Sequence, residues 1–207
     1  MRPLPRLHAV TDARVLALPD LGVRAAAIAS AGPAVALHAR DRTAEGAALA
    51  RAALRLQALA RPPEAALLVS GRPDLAAAIG AHGVQLAATD LAPADARRVF
   101  PQGWIGRSVH DAREAELAAS EGADFLLVGA IYPTASHPDR PAAGPALVRA
   151  AAKFGRPVIA IGGMDAARAL EMREAGAWGV AAIRALWDAD DPAAAALALL
   201  APWLENA

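Results

Sequence analysis

The stretch Ile105-Gly106-Arg107-Ser108-Val109-His110 begins apolar and ends polar, and its last residue carries an imidazole. Histidine titrates near neutrality, so His110 can take up and release a proton without a large pKa shift and is the natural general acid–base candidate. Immediately after it, Asp111 followed three residues later by Glu114 reads as a helix start. A short side-chain oxygen there takes up unpaired N–H groups of the first turn. His110 therefore stands where a strand stops and a helix begins. Side chains alternate along a strand, so Ser108 shares a face with His110 and Arg107 takes the other. The plainer reading of the same pattern is a histidine that only caps a loop.

A second candidate closes another apolar run, Pro157 to Ile161, with Gly162-Gly163. Bare glycine backbone lets N–H groups point at phosphate oxygens, although a tight turn would also use this pair. With Ala182 and Ile183 ending the next apolar run, the position predicts phosphate binding. Carboxylates that could hold a metal are sparse: Asp12, Asp41 and Asp90 lie far apart in sequence. Magnesium carried by substrate phosphates needs only one or two of them. There is no H-E-x-x-H pair and no nucleophile elbow. The chain has no cysteine, which removes disulfides, thiol catalysis and thiolate metal sites. The expectation is a site with neither a resident metal nor a cofactor. Of the other histidines, His82 precedes a strand and reads as structural, and His8 lies inside a strand and reads as packed. His38 and His137 follow strands and join the candidates.

The elements that must position these groups alternate from end to end. Strand-like runs cover Leu7 to Val10, Ala34 to His38, Ala66 to Val69, Gly83 to Leu86, Ile105 to His110, Phe125 to Val128, Pro157 to Ile161 and Gly179 to Ile183. Helical patterns follow them, starting near Leu18, Thr43, Asp74, Pro93, Asp111, Pro145, Ala166 and Pro192. Eight βα units fill the chain and predict one α/β domain over residues 1–207, a closed (β/α)₈ barrel. The strands lack polar alternation, as in sheets buried on both faces. A doubly wound open sheet uses the same units and is the alternative. A barrel gathers the strand ends at one mouth. The candidates there are His38, Arg40, Ser70, Gln85, Ser108, His110, Thr134, Ser136, Gly162, Gly163, Ala182 and Ile183.

The 207 residues are 56% hydrophobic, with 21 Lys+Arg against 21 Asp+Glu and no net charge. No basic excess points to nucleic acid or to an anionic membrane surface. No apolar run reaches the ~18 residues of a spanning helix, and no signal core follows Arg2 and Arg6. The default is a cytoplasmic protein acting on a small molecule, with a homodimer as the assembly to consider.

Several motifs occur together in order: Leu7 to Asp12, Ser70 to Asp74, Ile105 to His110, Val158 to Met164 and Gly176 to Ala181. Together they resemble the thiamine-phosphate synthase/TenI superfamily of (β/α)₈ barrels. The resemblance implies one of two activities. Synthases join a pyrimidine diphosphate to a thiazole phosphate with magnesium. They carry Asn-Asp where this chain has Ser70-Gly71, and a lysine where it has His137. Of their strand-four run, only Asp90 is kept. The TenI-type thiazole tautomerases match at Val84-Gln85-Leu86, at Gly106 to His110 and at Gly162 to Met164, while the second-strand Arg common in the family is His38 here. The resemblance thus implies a thiazole tautomerase, an isomerase that aromatises a thiazole carboxylate phosphate. In it His110 moves the proton, Gly162, Gly163, Ala182 and Ile183 hold the phosphate, and Arg40 or His38 faces the carboxylate. The alternatives are a synthase with an altered metal site and a non-catalytic barrel that binds thiazole or thiamine phosphate.

Overall fold

Eight short apolar runs become eight parallel strands: β1 (Leu7–Val10), β2 (Val35–Ala39), β3 (Ala66–Ser70), β4 (Gly83–Leu86), β5 (Trp104–Val109), β6 (Phe125–Val128), β7 (Val158–Ile161) and β8 (Gly179–Ala182). Each pairs with the next, and β8 returns to β1, closing the barrel. The computed structural model describes residues 2–60, 64–134 and 141–204. Burial on both faces explains the unbroken hydrophobic runs. Leu7, Ala9, Val35 and Leu37 point out under the helices, in a cluster that includes Val84, Ile105 and Leu126. Val10, Ala36, Ala66, Leu68, Trp104, Phe125, Leu127, Ile159 and Ala181 fill the barrel interior. The barrel is a packed core up to the level of the mouth, as closed eight-stranded barrels are.

The helices are α1 (Ala13–Leu16), α2 (Leu21–Ala29), α3 (Gly46–Leu59), α4 (Pro73–Ala78), α5 (Pro93–Val99), α6 (Ala112–Ser120), α7 (Pro145–Ala152), α8 (Ala166–Glu174), α9 (Arg184–Trp187) and α10 (Pro192–Leu204). Among the described residues, no helix is long and apolar enough to cross a membrane. Three details differ from the periodic reading. The first helix is split. Asp12 caps Val15 N–H and starts a turn early, and Pro19, which lacks an N–H and disfavours helical Leu18, separates α1 from α2. The third helix begins at Gly46 and not at Thr43. The Asp41 carboxylate accepts the amides of Thr43 and Ala44, folding those residues into a side-chain-closed turn. After β8 the chain forms the one-turn α9, whose Trp187 indole donates to Val10 O at 2.8 Å and pins it to β1.

Candidate active site

The carboxyl ends of the strands surround a cavity of about 790 Å³. Its lining includes His38, Arg40, Ser70, Gln85, Ser108, His110, Thr134, Gly162, Gly163, Ala182 and Ile183. Eight different βα connections are thus brought to one space by barrel closure. Ser136 and His137 lie outside the described residues.

His110 follows β5 directly. Asp111 is the N-cap of α6 and accepts Glu114 N–H at 2.7 Å. The Glu114 carboxylate reaches back to the His110 amide at 2.7 Å, one residue short of the usual reciprocal cap. The cap therefore grips the backbone of the candidate residue itself. The ring Nδ1 lies against Gly129 O, which can only accept, so Nδ1 carries the proton and Nε2 keeps its lone pair. Two residues earlier, Ser108 Oγ accepts from Gln85 Nε2 at 3.1 Å, and the same amide donates to Leu86 O at 3.2 Å. Gln85 Oε1 is buried without a partner, and so is Ser70 Oγ. Gly106 makes room for this arrangement, because a Cβ there would overlap both the Phe125 ring and Gln85 Oε1.

His38 is not at the rim. It is fully buried on β2, with its side chain inside the barrel, and its Nε2 lies 2.8 Å from Nδ1 of the equally buried His8. The expectation that His38 could meet a carboxylate as a cation is corrected by this placement. Burial, with Arg40 and His8 nearby, holds its pKa well below the ordinary value, so it stays neutral. Burial likewise pushes His8 down to about 4. His82 is structural, as expected: its Nδ1 accepts Leu67 N–H at 3.1 Å and its ring stacks on Trp104.

Cationic side chains concentrate on one side of the cavity. Arg40, Arg42 and Arg72 line it from the connections after β2 and β3, and Arg184 lines it from α9. The carboxylates in the lining are Asp41 and Asp90. A chain of zero net charge thus carries a locally positive mouth. Burial lowers the Arg40 pKa, Arg42 adds to that, and Asp12 and Asp41 oppose it. Arg40 remains a cation, since guanidinium does not deprotonate in proteins. Arg72 is ion-paired with Asp74, and its guanidinium occupies the space that a side chain at residue 46 would need; Gly46 admits it. Arg42, Arg72 and Arg184 escaped the residue-by-residue reading. Arg72 had a signal, its place in the Ser70-Gly71-Arg72-Pro73-Asp74 motif, but the other two are isolated arginines.

Asp90 stands opposite Gly71, with its carboxylate 3.2 Å from where a Cβ at residue 71 would be. One of its oxygens accepts Ala87 N–H at 2.7 Å. Among the described residues, no group of three or more His, Asp or Glu side chains could hold a metal ion by itself. The donor set fits a hard cation shared with ligand phosphates, with Asp90 as the protein's carboxylate.

On the far side, Gly162 and Gly163 both have positive φ, 106° and 64°. A side chain at residue 163 would also press on Pro133 O. Arg168 donates to Gly163 O and lies over the Tyr132 ring at 4.5 Å, which fixes the loop. Ala182 and Ile183 lead from β8 into α9 beside this loop. The backbone is thereby open to an anion, the arrangement by which such barrels hold phosphate.

Residues 7–186 match the family profile described as Thiamine monophosphate synthase (TMP-TENI). A Thiamine-phosphate synthase of Thermus thermophilus is 47% identical over 147 residues, which is 70% of this chain and 71% of that protein. One from Chromobacterium violaceum is 41% identical over 200 residues, covering 93% of each. The solved Thiamine phosphate pyrophosphorylase of Pyrococcus furiosus superposes with a TM-score of 0.83 at 31% identity, covering 97% of this chain and 96% of that one. 3-Hexulose-6-Phosphate Synthase, at 20% identity and a TM-score of 0.68, shares the fold. These relatives overturn the tautomerase and isomerase assignment, since at 41–47% identity they are named for the synthase. The lost Asn-Asp pair had argued for the isomerase, but that inference weighed one carboxylate in sequence and not the arginines that the fold brings beside Asp90. The chain belongs to the thiamine monophosphate synthase family.

Proposed function

We propose that this protein is a transferase that joins hydroxymethylpyrimidine diphosphate to thiazole phosphate, forming thiamine phosphate and releasing diphosphate. The observation that carries the reading is one cavity with two anion-binding ends. Arg40, Arg42 and Arg72 stand at one end and the Gly162-Gly163 backbone at the other. A tautomerase would have a single phosphate to hold, whereas the transfer has a phosphate and a diphosphate. The kinship with synthases along nearly the whole chain supports the same reading.

In this reaction the bond from the pyrimidine's methylene carbon to the diphosphate oxygen breaks. The diphosphate takes the electron pair, and the thiazole ring nitrogen forms the new bond to that carbon. The arginine end orients the diphosphate and stabilises the charge that grows on the leaving oxygen, the kind of preorganised electrostatics that lowers such barriers most. Asp90 would hold a magnesium ion together with the diphosphate, and that ion, when bound, neutralises charge on the leaving group. The expectation of a metal-free reaction followed from the isomerase reading and is given up with it. Gly162, Gly163, Ala182 and Ile183 hold the thiazole phosphate and so set the distance to the methylene carbon. Alkylating a ring nitrogen moves no proton. His110 is therefore assigned to binding, its Nε2 acting as an acceptor toward the substrate.

The test is to supply both substrates with magnesium and follow thiamine phosphate and diphosphate together. Stoichiometric appearance of both, abolished by EDTA, is the expected result. Turnover of a thiazole carboxylate tautomer with no coupling of the two substrates would sink the reading.

A further inference from the structure

Two histidines are buried one beneath the other inside the barrel, and only the upper one borders the cavity. The hydrogen-bond arithmetic of the pair is closed. Pro5 O can only accept, so His8 Nε2, at 3.2 Å, must carry the His8 proton. A neutral imidazole has one N–H, which leaves His8 Nδ1 bare. His38 Nε2, 2.8 Å away, must then donate to it. The remaining nitrogen, His38 Nδ1, is consequently a bare acceptor, and it is buried with no partner in a residue that lines the cavity. Both rings are wholly buried, and desolvation keeps both neutral.

We propose that His8 is a positioning residue: by accepting from His38 it fixes the tautomer that turns the His38 Nδ1 lone pair toward the cavity, and so makes the cavity floor selective for a flat ring that presents an N–H donor. The neighbouring strands agree in sense. On β3, next to β2, Ser70 Oγ is buried and unpartnered; on β4, Gln85 has both its donor contacts satisfied and offers a bare Oε1. The floor is therefore two acceptors flanking a hydroxyl, contributed by three consecutive strands. An unmatched buried acceptor is costly, so a ring without a donor is penalised there more than one with a donor is rewarded. An amino-substituted heteroaromatic ring has the matching edge: N–H groups for the acceptors and a ring nitrogen for the serine hydroxyl. The choice of the amino-bearing pyrimidine as that ring rests on the transferase reading; the tautomer argument does not.

The test uses the full chain in three forms: wild type, His8→Leu and His8→Asn. Proton–nitrogen correlation NMR of the histidine rings reads the tautomer of His38 directly. In the wild type Nε2 should be protonated and Nδ1 bare. His8→Leu removes the acceptor, and His38 should shift its proton to Nδ1. His8→Asn returns an oxygen near the same place and should restore the wild-type form. Equilibrium binding is then measured for amino-substituted hydroxymethylpyrimidine and for its methyl-for-amino isostere. The wild type and His8→Asn should prefer the amine by about tenfold, a hydrogen bond's worth, and His8→Leu should lose that preference. Finding wild-type His38 protonated at Nδ1, or a His8→Leu protein with unchanged tautomer and preference, overturns the proposal. If tautomer and preference behave as stated while no thiamine phosphate forms from the two substrates, the transferase reading falls and this inference stands.

Discussion

At the scale of the residue, the assignment of His110 turns on whether a proton moves. Its Nδ1–H is committed to Gly129 O, so only Nε2 faces outward. As a binding group it should show itself in KM: His110→Ala should raise KM several-fold and leave kcat within about threefold. A loss of ~10²–10⁴ in kcat, the usual cost of a missing acid–base group, would mark proton transfer and defeat the transferase mechanism given above. Asp90 gives the complementary prediction. Asp90→Asn keeps an oxygen for the Ala87 amide, which it accepts at 2.7 Å, but removes the negative charge. The fold should be unaffected, kcat should fall ~10²-fold, and the magnesium concentration for half-maximal rate should rise. Steady-state rates across a magnesium titration decide it, and an unchanged titration would remove Asp90 from the cation site.

At the scale of the element, the loop between β4 and α5 shows how a distant strand can govern a site. Arg107 points out of the barrel on β5, away from Ser108, as strand alternation requires. Its guanidinium donates to Ala88 O and Leu91 O, each at 2.9 Å, and to Asp90 O at 3.3 Å. This is the loop that carries Asp90. The contacts are partly exposed, so Arg107→Ala should cost less than ~1 kcal/mol of stability. The loop should nonetheless loosen, and the magnesium requirement should rise several-fold as for Asp90→Asn. Arg107→Lys, with a point charge in place of the planar fork, should restore only part of it. A variant with wild-type magnesium dependence would show that the loop holds itself. The cap of α6 works similarly on β5: losing Glu114 removes the acceptor of the His110 amide, and Glu114→Ala should destabilise by about 1 kcal/mol in urea unfolding while raising KM together with it.

At the scale of the whole molecule, the buried histidines tie stability to pH. His8 has an ordinary value of 6.5 and a folded value of about 4, because burial disfavours its charged form. The unfolded chain therefore takes up a proton first as the pH falls. Stability from this group is complete above pH 6.5 and declines between 6.5 and about 4. The slope is up to ~1.4 kcal/mol per pH unit for each histidine, and His38, shifted the same way, adds to it. Urea midpoints should fall between pH 7 and pH 5, and His8→Leu should flatten that fall. A wild-type midpoint independent of pH would show that the pair is already charged in the folded state.

The sequence by itself determined the barrel and the end of it that matters. Hydrophobic runs of strand length, each followed by a helical pattern, are local signals, and eight of them leave little choice of architecture. The helix start at Asp111 was equally legible, because a cap is made by residues three apart. So was the gathering of His38, Arg40, Ser70, Gln85, Ser108, His110 and Gly162-Gly163, since every strand end of a closed parallel barrel faces the same way. What only the tertiary structure decided were contacts between neighbouring strands and loops. His8 meets His38 across 30 residues, Gln85 meets Ser108 across 23, and Arg72 lies in the space left open by Gly46. Those meetings depend on register and closure, and no local pattern encodes them. The same reason explains why the isomerase reading failed. A lost carboxylate at Gly71 is visible in sequence, but the charge around Asp90 is a sum over arginines from separate loops, and that sum exists only once the barrel has closed.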